Sequence, residues 1–131
     1  MPQGRDGARR YARVLDAAYG ALKQVERDNV VIGGMTLSGG FTVPPVWIKQ
    51  MRLPGGRPPR MDWYGHNPFE RRKPRLSDHP TRARGGRKRG LNDVDTLWGE
   101  LKRAYSGVRG ANAPRKLWLS EFTVQSDAPS W

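Results

Sequence analysis

Glu121 is the residue whose type and setting most readily suggest chemistry. It lies in Lys116-Leu117-Trp118-Leu119-Ser120-Glu121-Phe122-Thr123, an apolar run that reads as a strand until the carboxylate breaks it. Alternation puts Leu117, Leu119 and Glu121 on one face and Trp118, Ser120 and Phe122 on the other. A Glu at that point is either an ordinary solvated strand end or a group projecting from the C-terminal edge of a parallel sheet, where acid, base and nucleophilic side chains gather. A second run, Met61-Asp62-Trp63-Tyr64-Gly65, groups Asp62, Tyr64 and His66 on one face and leaves Met61 and Trp63 to pack outward against helices.

Other chemistries find little support. With only His66 and His79 and no Cys, no metal-ligand spacing is present, and His66 beside Tyr64 reads first as a hydrogen-bonding residue. Ser120 lacks the Gly-x-Ser-x-Gly turn that would expose a nucleophile. Gly33-Gly34 lacks the third, spaced glycine of a phosphate-binding loop. The absence of Cys also excludes a disulfide framework, a thiolate zinc site and an iron–sulfur cluster.

Three helices and three strands must carry these residues. Tyr11, Val14, Leu15, Ala18, Leu22 and Val25 draw one stripe along a helix from Asp6, which caps it, to Asn29, which closes it in a left-handed turn. Val30 to Thr36 is a short apolar run that reads as a parallel strand buried on both faces. Pro44-Pro45 suits the first turn of a short helix from Val46 to Arg52, stopped by Pro54-Gly55-Gly56. Asn92 caps a third helix from Asp93 to Tyr105, with Val94, Leu97, Trp98, Leu101, Ala104 and Tyr105 as its apolar stripe. The order α-β-α-β-α-β predicts a parallel sheet covered by helices. Three strands leave both edges of such a sheet open, so the chain reads as part of a larger one.

The chain carries 24 Lys and Arg against 12 Asp and Glu, a formal charge of +12. Twelve of the basic side chains fall between residues 52 and 89, opposed there by Asp62, Glu70 and Asp78 alone. Sixteen Gly and eleven Pro promise long irregular stretches, above all from 66 to 92, where no periodicity remains. This stretch reads as an Arg-rich solvated loop rather than a single-strand-binding surface, because no Phe, Tyr or Trp stands among the charges from Glu70 to Arg89. Salt-sensitive, non-specific adhesion to nucleic acid is still expected of it. No apolar run approaches the roughly 20 residues of a membrane span, and the N-terminal residues lack the apolar stretch of a secretory signal, so no localisation follows.

Three segments together resemble the fifth, sixth and seventh strands of cellulase-like (β/α)8 retaining glycoside hydrolases. They are Val-Val-Ile-Gly-Gly-Met-Thr (30 to 36), Met-Asp-Trp-Tyr-Gly-His-Asn-Pro-Phe (61 to 69) and Lys-Leu-Trp-Leu-Ser-Glu-Phe-Thr (116 to 123). Asp16-Ala17-Ala18-Tyr19, followed by Asp28-Asn29-Val30, is similar to the helix and turn that lead into the fifth strand. The resemblance implies an α/β fold, a partial (β/α)8 TIM barrel over residues 1–131 with about three parallel strands alternating with helices. It further implies O-glycosyl hydrolysis of a β-glycoside or polysaccharide without a cofactor, with Glu121 as the nucleophile and Tyr64, His66 and Asn67 as substrate-binding residues. Trp63 and Trp118, facing away from the barrel interior by alternation, are expected under the helices.

The departures from that family matter equally. A retaining mechanism needs a second carboxyl group about 5–5.5 Å from the nucleophile, and the family's Asn-Glu-Pro motif on the fourth strand is missing here. Asp62 begins its strand at the wrong end and Asp127 lies beyond the third strand. Since about 250 residues make a complete barrel, the chain corresponds to a C-terminal portion, inactive alone and a partner for a missing N-terminal half. The competing class is a small basic nucleic-acid-binding protein whose βα pattern is complete.

Overall fold

A computed structural model describes residues 4–70, 88–108 and 112–124. Its elements are α1 (Gly4–Val25), β1 (Ile32–Leu37), α2 (Pro44–Gln50), β2 (Trp63–Asn67), β3 (Phe69–Glu70), α3 (Val94–Ala104, preceded by a 3-10 turn at Leu91–Asp93), β4 (Lys116–Trp118) and β5 (Thr123–Val124). The protein is a mixed α/β fold. Its main sheet has the order β1-β2-β4, all parallel, and β3 and β5 form a second parallel pair.

Helix α1 buries Ala8, Ala12, Leu15 and Tyr19, one row at helical spacing. The expected stripe is therefore rotated: Leu15 stays inward and Tyr11 is partly buried, but Val14 is 68% exposed and Leu22 and Val25 also face solvent. The two alanines bring the helix close enough for the Tyr11 ring to meet Trp47 of α2, centroids 5.5 Å apart. The Tyr11 hydroxyl accepts the Gly34 N–H at 2.8 Å. The helix also starts ahead of Asp6, with the Gly4 N–H donated to Thr42 Oγ1 at 3.1 Å, so Asp6 occupies the first turn rather than the cap. Asn29 closes the far end through its side chain, Nδ2 donating to the Leu22 carbonyl at 3.0 Å, and not through a left-handed backbone. Asn92 likewise falls inside the 3-10 turn, and Asp93 precedes α3, its Oδ2 accepting the Gly90 N–H at 2.9 Å.

The two faces of the sheet differ. Gly33, Tyr64 and Leu117 are register partners across β1, β2 and β4, so they share a face. A Cβ on Gly33 would collide with Leu15 of α1 and with Met61, and Tyr64 is fully buried in one core with Ile48, Leu97 and Leu101, so this is the helix-covered face. The opposite face carries Ile32, Trp63, Lys116 and Trp118, and a side chain at Gly65 would strike Ile32 and Met35 there. The expected orientation of β2 is thus reversed. Tyr64 and His66 turn toward the helices, whereas Trp63 and Trp118 stack on each other at 5.7 Å, with Trp118 45% exposed. The physical reason is the missing bulk of Gly33 and Gly34. At Gly34 a Cβ would stand 2.6 Å from the Tyr64 ring, so glycine alone admits that ring beneath β1. For the same reason β1 is not buried on both faces: Met35 and Leu37 are exposed where, among the described residues, no helix lies over them.

Asp62 anchors the N-terminal ends of the strands. Its Oδ2 accepts the Val31 N–H at 2.8 Å and lies 2.9 Å from Lys23 Nζ at the end of α1. The Arg115 guanidinium stands 3.8 Å from Oδ1, and the Asp62 carbonyl accepts the Arg115 N–H at 2.7 Å just before β4. Two residues earlier Arg60 grips Asp16 of α1, with Nε and Nη2 at 2.9 and 2.8 Å from its two oxygens, which holds the Asp16 carboxyl below the usual carboxylate range.

Asp62→Ala strips the partner from a buried N–H and from Lys23 at once. It should lower the unfolding free energy by about 3–5 kcal/mol, the scale for breaking one side of a buried pair, read as the midpoint shift in urea denaturation. Arg115→Ala, at the exposed and longer contact, should cost less than about 1 kcal/mol.

Candidate active site

The C-terminal edge of the sheet is where its pairing becomes irregular. Between β1 and β2, Gly33 pairs with Tyr64 and Thr36 with His66, three steps on one strand against two on the other. The extra residue is accommodated by Gly34 and Met35, both with positive φ, +90° and +50°. Met35 is the one non-glycine residue in that region among the described residues, and a side chain there is strained. Beyond β2 and β4 the ladder stops: Gly65 pairs with Trp118, and a separate pairing of β3 with β5 begins at Phe69 and Thr123, four steps along one chain against five along the other. Bulges such as that of β1 bend a strand and re-aim side chains, and they collect beside active sites.

The strand expected from Lys116 to Thr123 is therefore interrupted, and residues 119–122 form an irregular segment between β4 and β5. Glu121 lies in this segment and is exposed. Its neighbour Ser120 donates its hydroxyl to Asn67 Oδ1 at 2.7 Å, tying this segment to the last residue of β2. Asn67 is itself buried.

Behind this edge runs a closed hydrogen-bond chain. The Tyr64 hydroxyl donates to Thr36 Oγ1 at 3.3 Å, and Thr36 Oγ1 lies 3.0 Å from His66 Nδ1. His66 Nε2 is 2.9 Å from the Arg89 carbonyl, which only accepts, so the proton resides on Nε2 and Nδ1 accepts from Thr36. Burial is the main force holding the His66 pKa below its ordinary value, and burial pushes the Tyr64 hydroxyl upward. Arg89 is pinned in turn: its N–H donates to the Ser38 carbonyl at 2.8 Å, and its guanidinium forms a two-pronged pair with Glu100 of α3, Nε to Oε2 at 3.0 Å and Nη2 to Oε1. The ends of β1 and β2 and the residues leading into α3 are thus joined through one neutral imidazole.

Of the four residues singled out by sequence, Asn67 and the segment bearing Glu121 are brought together directly, through Ser120. Tyr64 and His66 are fully buried one layer behind, their polar atoms taken up by Thr36 and Arg89, so they hold strand ends in place. Sequence reasoning missed Thr36, Arg89 and Glu100. The glycine doublet ahead of Met35-Thr36 was a sign of the bulge, whereas nothing in the spacing of Arg89 and Glu100 marks them as partners. Asp127, His79 and most of the basic stretch, 71–87, lie outside the described residues. Among the described residues no group of three or more His, Asp or Glu could hold a metal ion, and no helix is long and apolar enough to cross a membrane.

Comparison with protein-family models, with curated proteins and with solved structures found no match.

Because the folded pKa of His66 lies below the unfolded value of about 6.5, its contribution to stability is complete above that value and is lost as pH falls through the folded pKa. Asp16, also depressed when folded, adds a loss at lower pH. Urea midpoints measured from pH 8 down to 4 should fall below about pH 6.5, and His66→Gln should flatten the upper part of that fall while starting from lower stability.

Proposed function

We propose that this chain is the nucleophile-bearing portion of a (β/α)8 retaining glycoside hydrolase, acting on O-glycosidic bonds of a β-glycoside or polysaccharide. The observation that carries this reading is the position of Glu121: exposed, in the irregular segment that follows β4 at the C-terminal edge of a parallel sheet, bridged by Ser120 to Asn67 at the end of the neighbouring strand. In open and closed parallel α/β sheets alike, this edge is where ligands bind and reacting side chains project. The element order, with a helical crossover between each pair of adjacent parallel strands, fits three consecutive units of such a barrel.

In the proposed reaction the Glu121 carboxylate attacks the anomeric carbon, the glycosidic C–O bond breaks, and a covalent glycosyl ester forms; water then hydrolyses it. Asn67 supplies an amide beside the reacting carbon. Tyr64 and His66 act as positioning residues, fixing the ends of β1 and β2 through Thr36. Trp118, half exposed on the face opposite α1 and α2, offers an indole surface to the C–H side of a sugar ring. Protonation of the leaving oxygen requires a second carboxyl group. Asp62 is committed to Val31 and Lys23 at the far ends of the strands, so that role falls to a group contributed by chain beyond these elements. The isolated chain is then silent toward ordinary glycosides.

A leaving group that needs no proton separates the two halves of the mechanism. Incubation with 2,4-dinitrophenyl 2-deoxy-2-fluoro-β-glycosides of glucose, mannose and xylose should add the mass of one fluorosugar to the chain, located by peptide mapping at Glu121 and absent from Glu121→Gln. Labelling at any other residue, or no labelling by any of the three sugars, would overturn the assignment.

A further inference from the structure

We propose that the groove between α1 and α2 binds the phosphate backbone of single-stranded nucleic acid, independently of the edge that carries Glu121. The groove encloses about 690 Å³ and is walled by Arg9, Arg10 and Arg13 on α1 and by Lys49 and Arg52 at the end of α2, with Asp6 as its only acidic lining residue. The loop at Pro54-Gly55-Gly56 closes one end.

Opposed walls of one sign make this a site for an extended anion. Arg9 and Arg13 stand one helical turn apart, so their guanidinium groups follow each other along the groove. Arg9, Arg10, Arg13 and Lys49 are all exposed, and among the described residues none of them joins an ion pair; the recorded pairs use Lys23, Arg60, Arg89 and Arg115. Arg52 is built differently. Its Nη1 donates to the Ile48 and Met51 carbonyls, both at 2.8 Å, which fixes the guanidinium as a half-buried floor while its charge remains. Like charges lining one groove repel one another, and a phosphate chain relieves that repulsion while releasing counterions.

The surroundings of the groove select among polyanions. A second cleft, of about 340 Å³, lies against the same two helices and is lined by Gly4, Phe41, Val46 and Lys88. Phe41 there is 87% exposed among the described residues, a large apolar ring facing the cleft. An aromatic face beside a cationic groove is the pairing by which single strands are held, bases stacking while phosphates follow the charge. The basic stretch that sequence alone singled out lacks such a ring; this groove has one nearby.

The test is fluorescence anisotropy with a labelled dT20 oligonucleotide between 50 and 300 mM NaCl. The combined variant R9A/R13A/K49A, all exposed positions, should bind at least tenfold more weakly at 100 mM salt. It should also flatten the slope of log K against log salt by about 2, three lost contacts at roughly 0.7 each. Phe41→Ser should weaken binding about fivefold or more with the slope unchanged. A dT20 affinity and slope unaffected by R9A/R13A/K49A but abolished by R71S/R72S/K73S/R75S would overturn the groove in favour of the basic stretch. Equal binding of a duplex, or binding of phosphatidylglycerol vesicles without dT20 binding, would overturn the single-strand assignment. Unfolding midpoints of each variant, unchanged from the natural chain, establish that the losses are local.

Discussion

One buried carboxylate organises this small fold. Asp62 sits where three pieces of chain begin or end together: the last turn of α1, the first residues of β1 and the approach to β4. Parallel strands have no tight turn to set their register, so the alignment of their starting points has to come from elsewhere. Here it comes from a side chain that accepts a backbone N–H of one neighbour and faces a cation from the helix that precedes it, while its own carbonyl receives the next strand. Arg60 and Asp16 repeat the idea at the surface, clasping the approach to β2 against α1.

With the starts of the strands aligned, the irregularity is pushed to their far ends. β2 is flanked on both sides by irregular backbone, the bulge at Gly34-Met35 and the break at 119–122. Each is held by a side chain of β2: His66 through Thr36 on one side, Asn67 through Ser120 on the other. The same strand that is passive at its beginning is therefore the one that shapes the opposite edge. This division, alignment at one end and re-aimed loops at the other, is what a parallel sheet needs if one edge is to be reserved for chemistry.

The order of helices and strands was legible in the sequence because apolar periodicity and paired prolines are local signals. Pro44-Pro45 opens α2, Leu97 and Leu101 face the core, and the three strands are parallel and in the expected sequence. The facing of β2 was not legible. Alternation says that Tyr64 and His66 share a side, but which side depends on what the neighbouring strand lacks, and Gly33 and Gly34 make room for a tyrosine ring that would elsewhere be turned outward. The stripe of α1 was misjudged for a related reason: Ala8 and Ala12 contribute little to an apolar pattern, yet their small size brings Tyr11 against Trp47. At the candidate site, the position of Glu121 near a strand end could be read directly. Its place outside the strand could not, since the end of β4 is set by pairing with a strand fifty residues away.

The stacked indoles of Trp63 and Trp118 give this arrangement an optical consequence. Two such rings 5.7 Å apart and inclined by 28° couple their electronic transitions, so the pair absorbs as a chiral unit rather than as two isolated chromophores. The resulting exciton couplet in circular dichroism reports on the contact between β2 and β4, and its amplitude follows the seam beside Glu121 without any added probe.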